Sequence, residues 1–421
     1  MTEQTTKRRD ERKILSLICA GHFYSHFYTL VLPPLFPLII LDMGLSYVAL
    51  GSVLTAFAIV SGSCQYPMGI LVDRYGPRRF IIGGLIFYSC AIGLMSLADS
   101  YWVLVLLAMF AGLGNSTFHP SDYAVLGERI APSRLGRAYA VHTFCGNLGW
   151  VAAPVMMTLL ASLWDWRVAV ASVTLSGLVL ALFLFAQRHL LPTAQAKSKA
   201  EPSKAPGSAK QAASVAGLSV IFSPAILMMF MFMIFSSMII SAVQAFSPSA
   251  LMTLRGLELV SANMALTGWL AGSSVGILVG GYVADKVGRL DAVAAVGFLC
   301  SALVLLAIAY MTLPLVVLIG GFVVGGFMLG MIYPSRDLMV RSATPKGSSG
   351  RAFGFVFTGA GVGGAAAPVT FGWAIDMGRP ELVFVAAAGL MMLSLTTALL
   401  VTRLMNNRAR AEAASQVAAA E

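Results

Sequence analysis

Histidine is the residue type in this sequence with the clearest capacity for chemistry. Four of the five histidines, His22, His26, His119 and His142, lie in or beside apolar runs long enough to cross a membrane. His22 and His26 are four residues apart, so a helix would place both on one face. Ionisable groups at membrane depth are costly and usually face a cavity, and histidine exchanges a proton near neutral pH. We therefore predict that these histidines line a cavity and move protons; the alternative is a hydrogen-bonded packing role.

Metal binding is a second interpretation of the same residues. Histidines at positions i and i+4 suit a metal ion on a helix. No acidic partner with matching spacing is visible in the sequence, however, so we predict no metal site and no cofactor. A membrane redox enzyme with histidine ligands remains the alternative from a different functional class. It would show bound metal or a visible absorption band.

Further polar residues could line the same cavity. Asp122 lies one turn after His119, where it could accept a proton or pair with Arg129. Arg336 occupies the equivalent region of the second half of the chain and would favour an anionic solute if it faces the cavity; near the membrane interface, a structural ion pair is the alternative for both charges. The remaining candidates, each individually also compatible with simple packing, are Tyr24, Tyr28, Asn115, Asn147, Trp150, Gln244 and Tyr333.

The elements that position these residues are membrane-spanning helices. Hydrophobic residues are 58% of the chain and charged residues only 11%, against about 25% charged residues in soluble domains. We predict an all-α membrane protein with twelve spans in two pseudo-symmetric six-helix bundles. The apolar runs lie near 14–41, 46–70, 80–98, 102–122, 138–163, 166–187, 222–246, 259–282, 291–312, 314–335, 352–375 and 382–403.

A polar segment divides the twelve runs into two sets of six. Residues 188–217 are rich in Ala, Lys, Ser and Pro, a composition typical of a solvated linker. The predicted organisation is therefore a tail, two bundles joined by a linker, and a second tail. Its boundaries are 1–13, 14–187, 188–217, 218–404 and 405–421.

Basic residues are sorted between the two sides of these spans. Of the 28 Lys and Arg residues, 25 lie in the tails, the linker and the alternate loops on the same side. Only Arg167, Arg255 and Arg379 lie on the other side. Because positive residues stay inside, both termini and the linker are predicted to be cytoplasmic, in a cell inner membrane. This sorting accounts for the net charge of +10 without a nucleic-acid partner.

The two halves of the sequence repeat each other. GILVDRYG at 69–76 corresponds to GYVADKVG at 281–288, a shift of 212. Seven further identities between 120–154 and 334–368 recur at a shift of 214, including the Gly-Arg-Ala triplets at 136–138 and 350–352. Two similar six-span halves are typical of transporters that rock around a central site.

The loop motif and its second copy resemble the signature of the major facilitator superfamily. That resemblance implies the superfamily's fold over essentially the whole chain, with two rocking bundles. It also implies that the two loops latch the outward-open state, and a role limited to topology is the alternative. The residues of this inner latch are Gly69, Asp73, Arg74, Gly76, Arg78 and Arg79, with Gly281, Asp285, Lys286, Gly288 and Arg289.

Within the superfamily the chain is loosely similar to the fosmidomycin-resistance group. Gly21-His22-Phe23, Leu32-Pro33 and Leu45-Ser46-Tyr47 carry that likeness in the first two spans. Gly112-Leu113-Gly114, Phe118-His119-Pro120, Gly136-Arg137-Ala138 and His142 carry it further along the chain. Members often have an acidic residue one turn after the span 1 histidine, where this sequence has His26. The group includes drug exporters and organic-anion carriers.

The combined prediction is a secondary transporter and not an enzyme. Its energy is expected to come from an ion gradient, since no ATP-binding motif accompanies the spans. We expect proton-coupled symport or antiport of a small organic solute by alternating access, with an organic anion favoured. Antibiotic efflux by proton antiport is the closest alternative. The expected partners are the solute, protons and membrane lipid, and we expect a monomer.

Overall fold

The computed structural model describes residues 3–193, 223–287, 290–343 and 349–418, and the regular elements within them are helical. In the first half the α-helices are α1 (Glu3–Thr29), α2 (Phe36–Met43), α3 (Tyr47–Tyr75), α4 (Pro77–Met95), α5 (Tyr101–Asn115), α6 (Phe118–Arg129), α7 (Pro132–Leu163) and α8 (Trp166–Ala186). In the second half they are α9 (Pro224–Ser241), α10 (Ser247–Arg255), α11 (Leu259–Val287), α12 (Leu290–Tyr310), α13 (Leu315–Gly330), α14 (Ile332–Ala343), α15 (Ser349–Asp376) and α16 (Glu381–Ala418).

These helices form twelve segments long and apolar enough to cross a membrane, which confirms the predicted number and the all-α class. Eight spans are single helices. The other four are each built from two helices: α1 with α2, α5 with α6, α9 with α10, and α13 with α14. Most of the predicted linker, from residue 194 onward, lies outside the described residues.

The four interrupted spans are the first, fourth, seventh and tenth, so a break recurs every three spans. The breaks fall at the short helix Pro33–Leu35, at Ser116 and Thr117, at the π-helix Ala242–Phe246, and at Met331. In transporters, broken helices mark the sites where solute and ions bind, and three-span repeats underlie each six-span half. The breaks therefore point to these four spans as the ones that carry polar sites.

Local chemistry accounts for two of the breaks. Pro33 and Pro34 lack backbone N–H groups, so the helical hydrogen-bond ladder stops at that point. At the second break, the hydroxyls of Ser116 and Thr117 donate to the carbonyls of Leu113 and Gly114 at 2.7 and 2.8 Å. Such back-bonding competes with the helix, and here it lets the chain change direction just before His119.

The described residues fall into two compact units. The first comprises Met1–Ser198 together with Gln244–Leu270 and Pro368–Pro380. The second comprises Lys199–Val243, Ala271–Ala367 and Glu381–Glu421. The first unit thus contains the whole N-terminal half plus two short segments from the C-terminal half of the sequence.

Within the first unit, one of these segments closes the start of α3. The carboxylate of Asp376 accepts from the backbone N–H groups of Tyr47 and Val48 at 2.9 and 2.8 Å. The Ser46 hydroxyl accepts from Ala49 N at 3.1 Å. Three of the N–H groups that a helix start leaves free are therefore satisfied. An added Cβ at Gly51 would overlap the Pro368 carbonyl, so the backbones of α3 and α15 are in close contact.

Candidate functional site: a buried histidine–aspartate cluster

Three helices of the first unit bring five ionisable side chains together. α1 contributes His22 and His26, α6 contributes His119 and Asp122, and α7 contributes His142. We refer to these five residues as the histidine–aspartate cluster. His119 and Asp122 are three residues apart and share a helix face, as do His22 and His26. The four histidines were predicted as cavity residues from their type, and Asp122 from its proximity to His119.

Asp122 is the centre of the cluster. Its Oδ2 atom lies 3.0 Å from His142 Nε2 and 3.2 Å from His22 Nδ1. The Ser25 hydroxyl donates to the His22 carbonyl at 2.8 Å and lies 3.4 Å from His22 Nδ1. Asp122 therefore pairs with two histidines from other helices. The alternative partner considered from sequence, Arg129, instead lies 3.5 Å from Glu128.

The imidazole rings form a contiguous set around this carboxylate. The rings of His22 and His142 are stacked with centroids 3.7 Å apart. His26 and His119 lie 4.5 and 5.3 Å from His22 by the same measure. Two imidazolium cations at 3.7 Å would repel each other strongly in an apolar setting, so the stack favours at most one charged ring.

Burial divides the cluster into an inner and an outer part. His22, Asp122 and His142 are between 0% and 2% exposed. His26 and His119 are only partly buried. The outer pair is thus more accessible than the inner trio, although the Nδ1 atoms of both rings are buried.

A glycine of α7 provides the space for the rings. A Cβ added at Gly146 would lie 2.8 Å from His22 Cδ2 and Nε2 and 3.0 Å from His26 Cε1. Any side chain at position 146 would therefore displace one or both rings. The sequence showed a glycine-rich helix at this point but gave no indication that this glycine faces the histidines.

Several buried polar atoms of the cluster have no hydrogen-bond partner among the described residues. They are Asp122 Oδ1 and the Nδ1 atoms of His26, His119 and His142. Buried polar groups are nearly always hydrogen-bonded, and exceptions usually mark a place for water or a ligand. The cluster therefore has unused capacity to bind a proton, a water molecule or an anion.

The inner trio also has the donor set of a metal site. Ligand atoms of His22, Asp122 and His142 all lie within 4.8 Å of one another. Two imidazoles and one carboxylate are ligands that divalent transition ions accept. The acidic partner that the sequence did not reveal is thus supplied by tertiary structure, from a helix about a hundred residues away.

Neighbouring polar residues hold the cluster in place. The Asn115 side-chain amide donates to the Ser25 carbonyl at 3.3 Å, and its oxygen accepts from Ser61 Oγ at 2.7 Å. These bonds join α5 to α1 and α3. Trp150 packs 4.3 Å from the His26 ring, and its indole N–H donates to Thr29 Oγ1 at 2.9 Å. Asn115 and Trp150 therefore lie next to the cluster and connect it to neighbouring helices.

The two tyrosines of α1 lie elsewhere. Tyr28 is buried and its hydroxyl bonds to Ser89 Oγ at 3.0 Å and to the Val173 carbonyl at 3.2 Å. Tyr24 lines an apolar groove beside Phe23. Each tyrosine follows a histidine by two residues, which is about 200° around a helix. This rotation turns the tyrosines away from the cluster, so the structure does not bring these two candidates together with the histidines.

The other candidates are dispersed. Asn147 is buried on α7, one residue after Gly146. Gln244 lies in the π-helix that interrupts the seventh span. Tyr333 and Arg336 belong to the second unit, where the Arg336 guanidinium lies 4.9 Å from the Tyr333 ring centroid and 5.9 Å from that of Phe357.

The first copy of the inner latch shows one unexpected anchor. Arg78 Nε and Nη2 donate to the Leu191 carbonyl at 2.9 and 2.6 Å. Gly76 has φ +85° and joins α3 to α4. Asp73, Arg74 and Arg79 are exposed, as is Lys286 in the second copy. Gly69 lies in α3 and Gly281 in α11, whereas Gly288, Arg289 and the Asp285 side chain lie outside the described residues.

Twelve membrane-spanning helices, repeated sequence halves and a buried ionisable cluster define an integral membrane protein of the transporter class. The chain belongs to the major facilitator superfamily, because the model of that superfamily matches residues 18–271 and 256–419. This match confirms the resemblance inferred from the loop motifs. The motif at 69–79 lies within the first matched range and its copy at 281–289 within the second.

Individual proteins resemble the chain over most of its length. The fosmidomycin resistance protein of Escherichia coli K12 is 27% identical over 400 residues, which cover 93% of this chain and 94% of that protein. A probable 4-methylmuconolactone transporter of Cupriavidus pinatubonensis is 28% identical, over 70% of this chain and 68% of its own. A bacterial homologue of the human lysosomal transporter Spinster, solved in an inward-facing and unoccupied conformation, shares the fold with a TM-score of 0.77 at 15% identity. The match covers 94% of this chain and 98% of that chain.

Proposed function

We propose that this transporter couples the movement of a small organic solute to protons through the histidine–aspartate cluster. The observation that carries the proposal is the fully buried Asp122, whose single Oδ2 atom faces a nitrogen of both His22 and His142. A carboxylate held between two imidazoles at membrane depth is a group that can gain and lose a proton without leaving its partners.

Charge counting supports proton uptake at this trio. If Asp122 is ionised and both histidines are neutral, each histidine donates its one N–H to the carboxylate and the trio carries a net charge of −1. One added proton produces an imidazolium and makes the trio neutral. An apolar environment favours the neutral state, because an uncompensated buried charge is costly. The trio therefore has reason to take up one proton from the partly accessible His26 and His119.

The outer pair also suggests the class of solute. The Nδ1 atoms of His26 and His119 have no hydrogen-bond partner among the described residues, and the His26 ring packs against Trp150. A protonated imidazole beside an indole ring suits an organic anion with an apolar body. Binding of anion and proton together would give symport, whereas competition for the outer pair would give antiport. The relatives support both an organic-acid carrier and an antibiotic exporter, and antibiotic efflux is therefore the second candidate.

The remaining predictions from sequence complete the proposal. We infer a protein of the cell inner membrane that works as a monomer by alternating access, with both termini and the linker cytoplasmic. The sorting of 25 of 28 basic residues to one side supports that orientation. The recurrence of Gly69, Asp73 and Gly76 at 281, 285 and 288 supports the inner latch and the division into two six-span bundles.

Proton movement in proteoliposomes tests the central claim. With a pH dye inside the vesicles, organic acids and antibiotics are added in turn to the wild type and to Asp122→Asn. We expect a solute-dependent pH change in the wild type and none above protein-free vesicles in the variant. Exchange of labelled solute at equal pH needs no net proton transfer, so it should persist in Asp122→Asn. Persistent exchange also shows that the variant is folded.

Matched controls come from the same chain. Asp99→Asn removes a carboxylate whose side chain is 94% exposed, and His189→Gln removes the one histidine outside the cluster. Both should behave like the wild type. A wild-type pH response in Asp122→Asn would refute the role of the cluster. The sign of the pH change distinguishes symport from antiport.

Metal analysis addresses the competing chemistry of the inner trio. Elemental analysis of purified protein should show no stoichiometric transition metal if the trio works with protons. A bound metal that is lost in Asp122→Asn, or a visible absorption band, would replace the proton assignment with the metal or redox alternative.

A further inference from the structure

A second site lies at the N-terminal end of α1, independent of the cluster and of the proposed coupling. A cavity of about 770 Å³ opens between α1 and the end of α8. Arg8, Arg9, Arg12 and Lys13 line it from α1, and Gln187 follows α8 on the opposite wall. We refer to it as the α1–α8 cavity. Four cations that face one cavity strongly attract a multiply charged or phosphate-bearing anion.

The geometry of α1 separates these cations from its acidic residues. At about 100° per residue, the four cations occupy one side of the helix and Glu11 projects toward the other side. Glu11 is 6% exposed and accepts from Arg134 Nε and Nη2 of α7 at 2.9 and 2.6 Å. Asp10 is partly buried next to it in sequence. None of the four cations has an ion pair with the part of the chain that the structure describes.

An apolar groove continues from this cavity toward the membrane interior. A second cavity of about 680 Å³ shares Ser16 and Phe183 with the first. Along α1 it extends to Tyr24, roughly 12 Å from Ser16 at 1.5 Å per residue. Most of its remaining lining is apolar, including Leu148 of α7 and Val179 of α8. Both cavities lie within the first unit.

We propose that the α1–α8 cavity and the adjoining groove bind an anionic phospholipid. The four cations would hold the phosphate and an anionic headgroup, and the groove would hold part of an acyl chain. Basic pockets between membrane helices, close to the membrane surface, are suited to such headgroups. A soluble phosphate would engage only the basic end, so the groove favours a lipid over a free anion.

Occupancy of this site has a predicted consequence for α1. The same helix carries His22 and His26 of the cluster, roughly two and a half to five turns beyond the cations. A lipid that contacts both α1 and α8 would stabilise the position of α1. A ligand that binds only the folded protein raises its melting temperature, and the rise grows with the logarithm of ligand concentration above the dissociation constant.

Lipid binding to the purified full-length protein tests the proposal. Native mass spectrometry and thermal melting in detergent are carried out with dioleoyl phosphatidylglycerol, dioleoyl phosphatidylcholine or sn-glycerol 3-phosphate. We expect the anionic lipid to bind roughly tenfold or more tightly than the zwitterionic one, and to raise the melting temperature. Equal binding of the two lipids would overturn the proposal. Equally tight binding of glycerol phosphate would reduce the site to one for a free anion.

Variants locate the binding on the protein. Arg9→Gln/Arg12→Gln should abolish the preference for phosphatidylglycerol, whereas Arg129→Gln/Arg403→Gln removes the same charge elsewhere and should keep it. Ala20→Phe narrows the groove without changing charge and should weaken phosphatidylglycerol while leaving glycerol phosphate unchanged. An unaltered preference in the first variant refutes the site. If that variant does not fold, the Ala20→Phe comparison decides the question.

Discussion

At the residue scale, the cluster depends on one oxygen atom. Asp122 Oδ2, on α6, faces a nitrogen of both His22 on α1 and His142 on α7. Because the stacked rings are 3.7 Å apart, small displacements change which nitrogen can share a proton with that oxygen. Under the proposed function, packing around the rings would therefore control proton transfer as directly as the titrating groups themselves.

Gly146→Ala tests the control by packing. The added methyl group would lie 2.8 Å from Cδ2 and Nε2 of the His22 ring, so the ring must shift and its 3.2 Å contact with Asp122 must change. Although alanine favours a helix, overpacking of this kind costs about 1–3 kcal/mol. We expect loss of solute-dependent proton movement and a lower melting temperature.

Gly389→Ala is the matched control for that variant, since the space around Gly389 is open. It should keep wild-type transport and melting. If Gly146→Ala also transports protons like the wild type, the close contact between α7 and the rings has no functional role.

At the element scale, hydrogen bonds at the ends of helices join segments that are far apart in the sequence. The start of α3 is capped by Asp376, which lies at the end of α15 and is far away in sequence. The start of α4 is anchored by Arg78 to the segment that follows α8. Both contacts satisfy backbone groups at helix ends, which membrane proteins must do with protein partners wherever water is excluded.

Asp376→Ala removes the cap on α3. Loss of an N-cap typically costs about 1 kcal/mol. The contact between the start of α3 and the end of α15 should therefore become about fivefold less populated. Spin labels at Leu41→Cys and Met377→Cys, both exposed positions, would report this as a larger long-distance population. Asp165→Ala is the control, because Asp165 caps α8 entirely within the N-terminal half. Identical distance distributions in Asp376→Ala and wild type would contradict the prediction.

Arg78→Lys tests the second anchor. Lysine cannot reproduce the two donors that Arg78 directs at the Leu191 carbonyl, so we expect destabilisation of about 1–2 kcal/mol. Thermal melting in detergent measures the effect. Arg79→Lys, at an exposed neighbouring position, should melt like the wild type. Equal loss in both variants would indicate a general preference for arginine in this loop and would contradict the role of the anchor.

At the scale of the whole molecule, broken helices recur every three spans, which is half the six-span period of the repeat in the sequence. The first, fourth, seventh and tenth spans are interrupted, and two of them carry four of the five cluster residues. The superfamily match covers both halves of the chain. The molecule therefore has a repeated framework, but the described ionisable cluster lies in the first half only.

Topology is the prediction that belongs to this scale. The test uses a cysteine-free background and vesicles whose lumen corresponds to the cytoplasmic side. Single cysteines introduced at Ala205 and Ala419 should react with a membrane-impermeant reagent only after these vesicles are opened. A cysteine at Asp99 should react in intact vesicles. The inside-positive distribution of Lys and Arg is the physical reason. Labelling of residue 205 and residue 99 from the same side would refute the orientation.

The sequence alone was sufficient to predict the twelve spans and the superfamily. It also showed how Lys and Arg are distributed between the two ends of the spans. These depend on residue composition over about 20 neighbouring positions and on charges next to them, which are local properties. It also identified four histidines that contribute to the site, because ionisable residues are conspicuous in apolar runs.

Tertiary structure alone decided which faces meet. The spans are apolar on nearly all sides, so hydrophobic periodicity does not distinguish a face toward lipid from one toward another helix. For that reason the sequence could not separate His22 from Tyr24, pair Asp122 with two histidines on other helices, or assign Asp376 to the start of α3. Those contacts depend on how helices distant in the chain pack against one another.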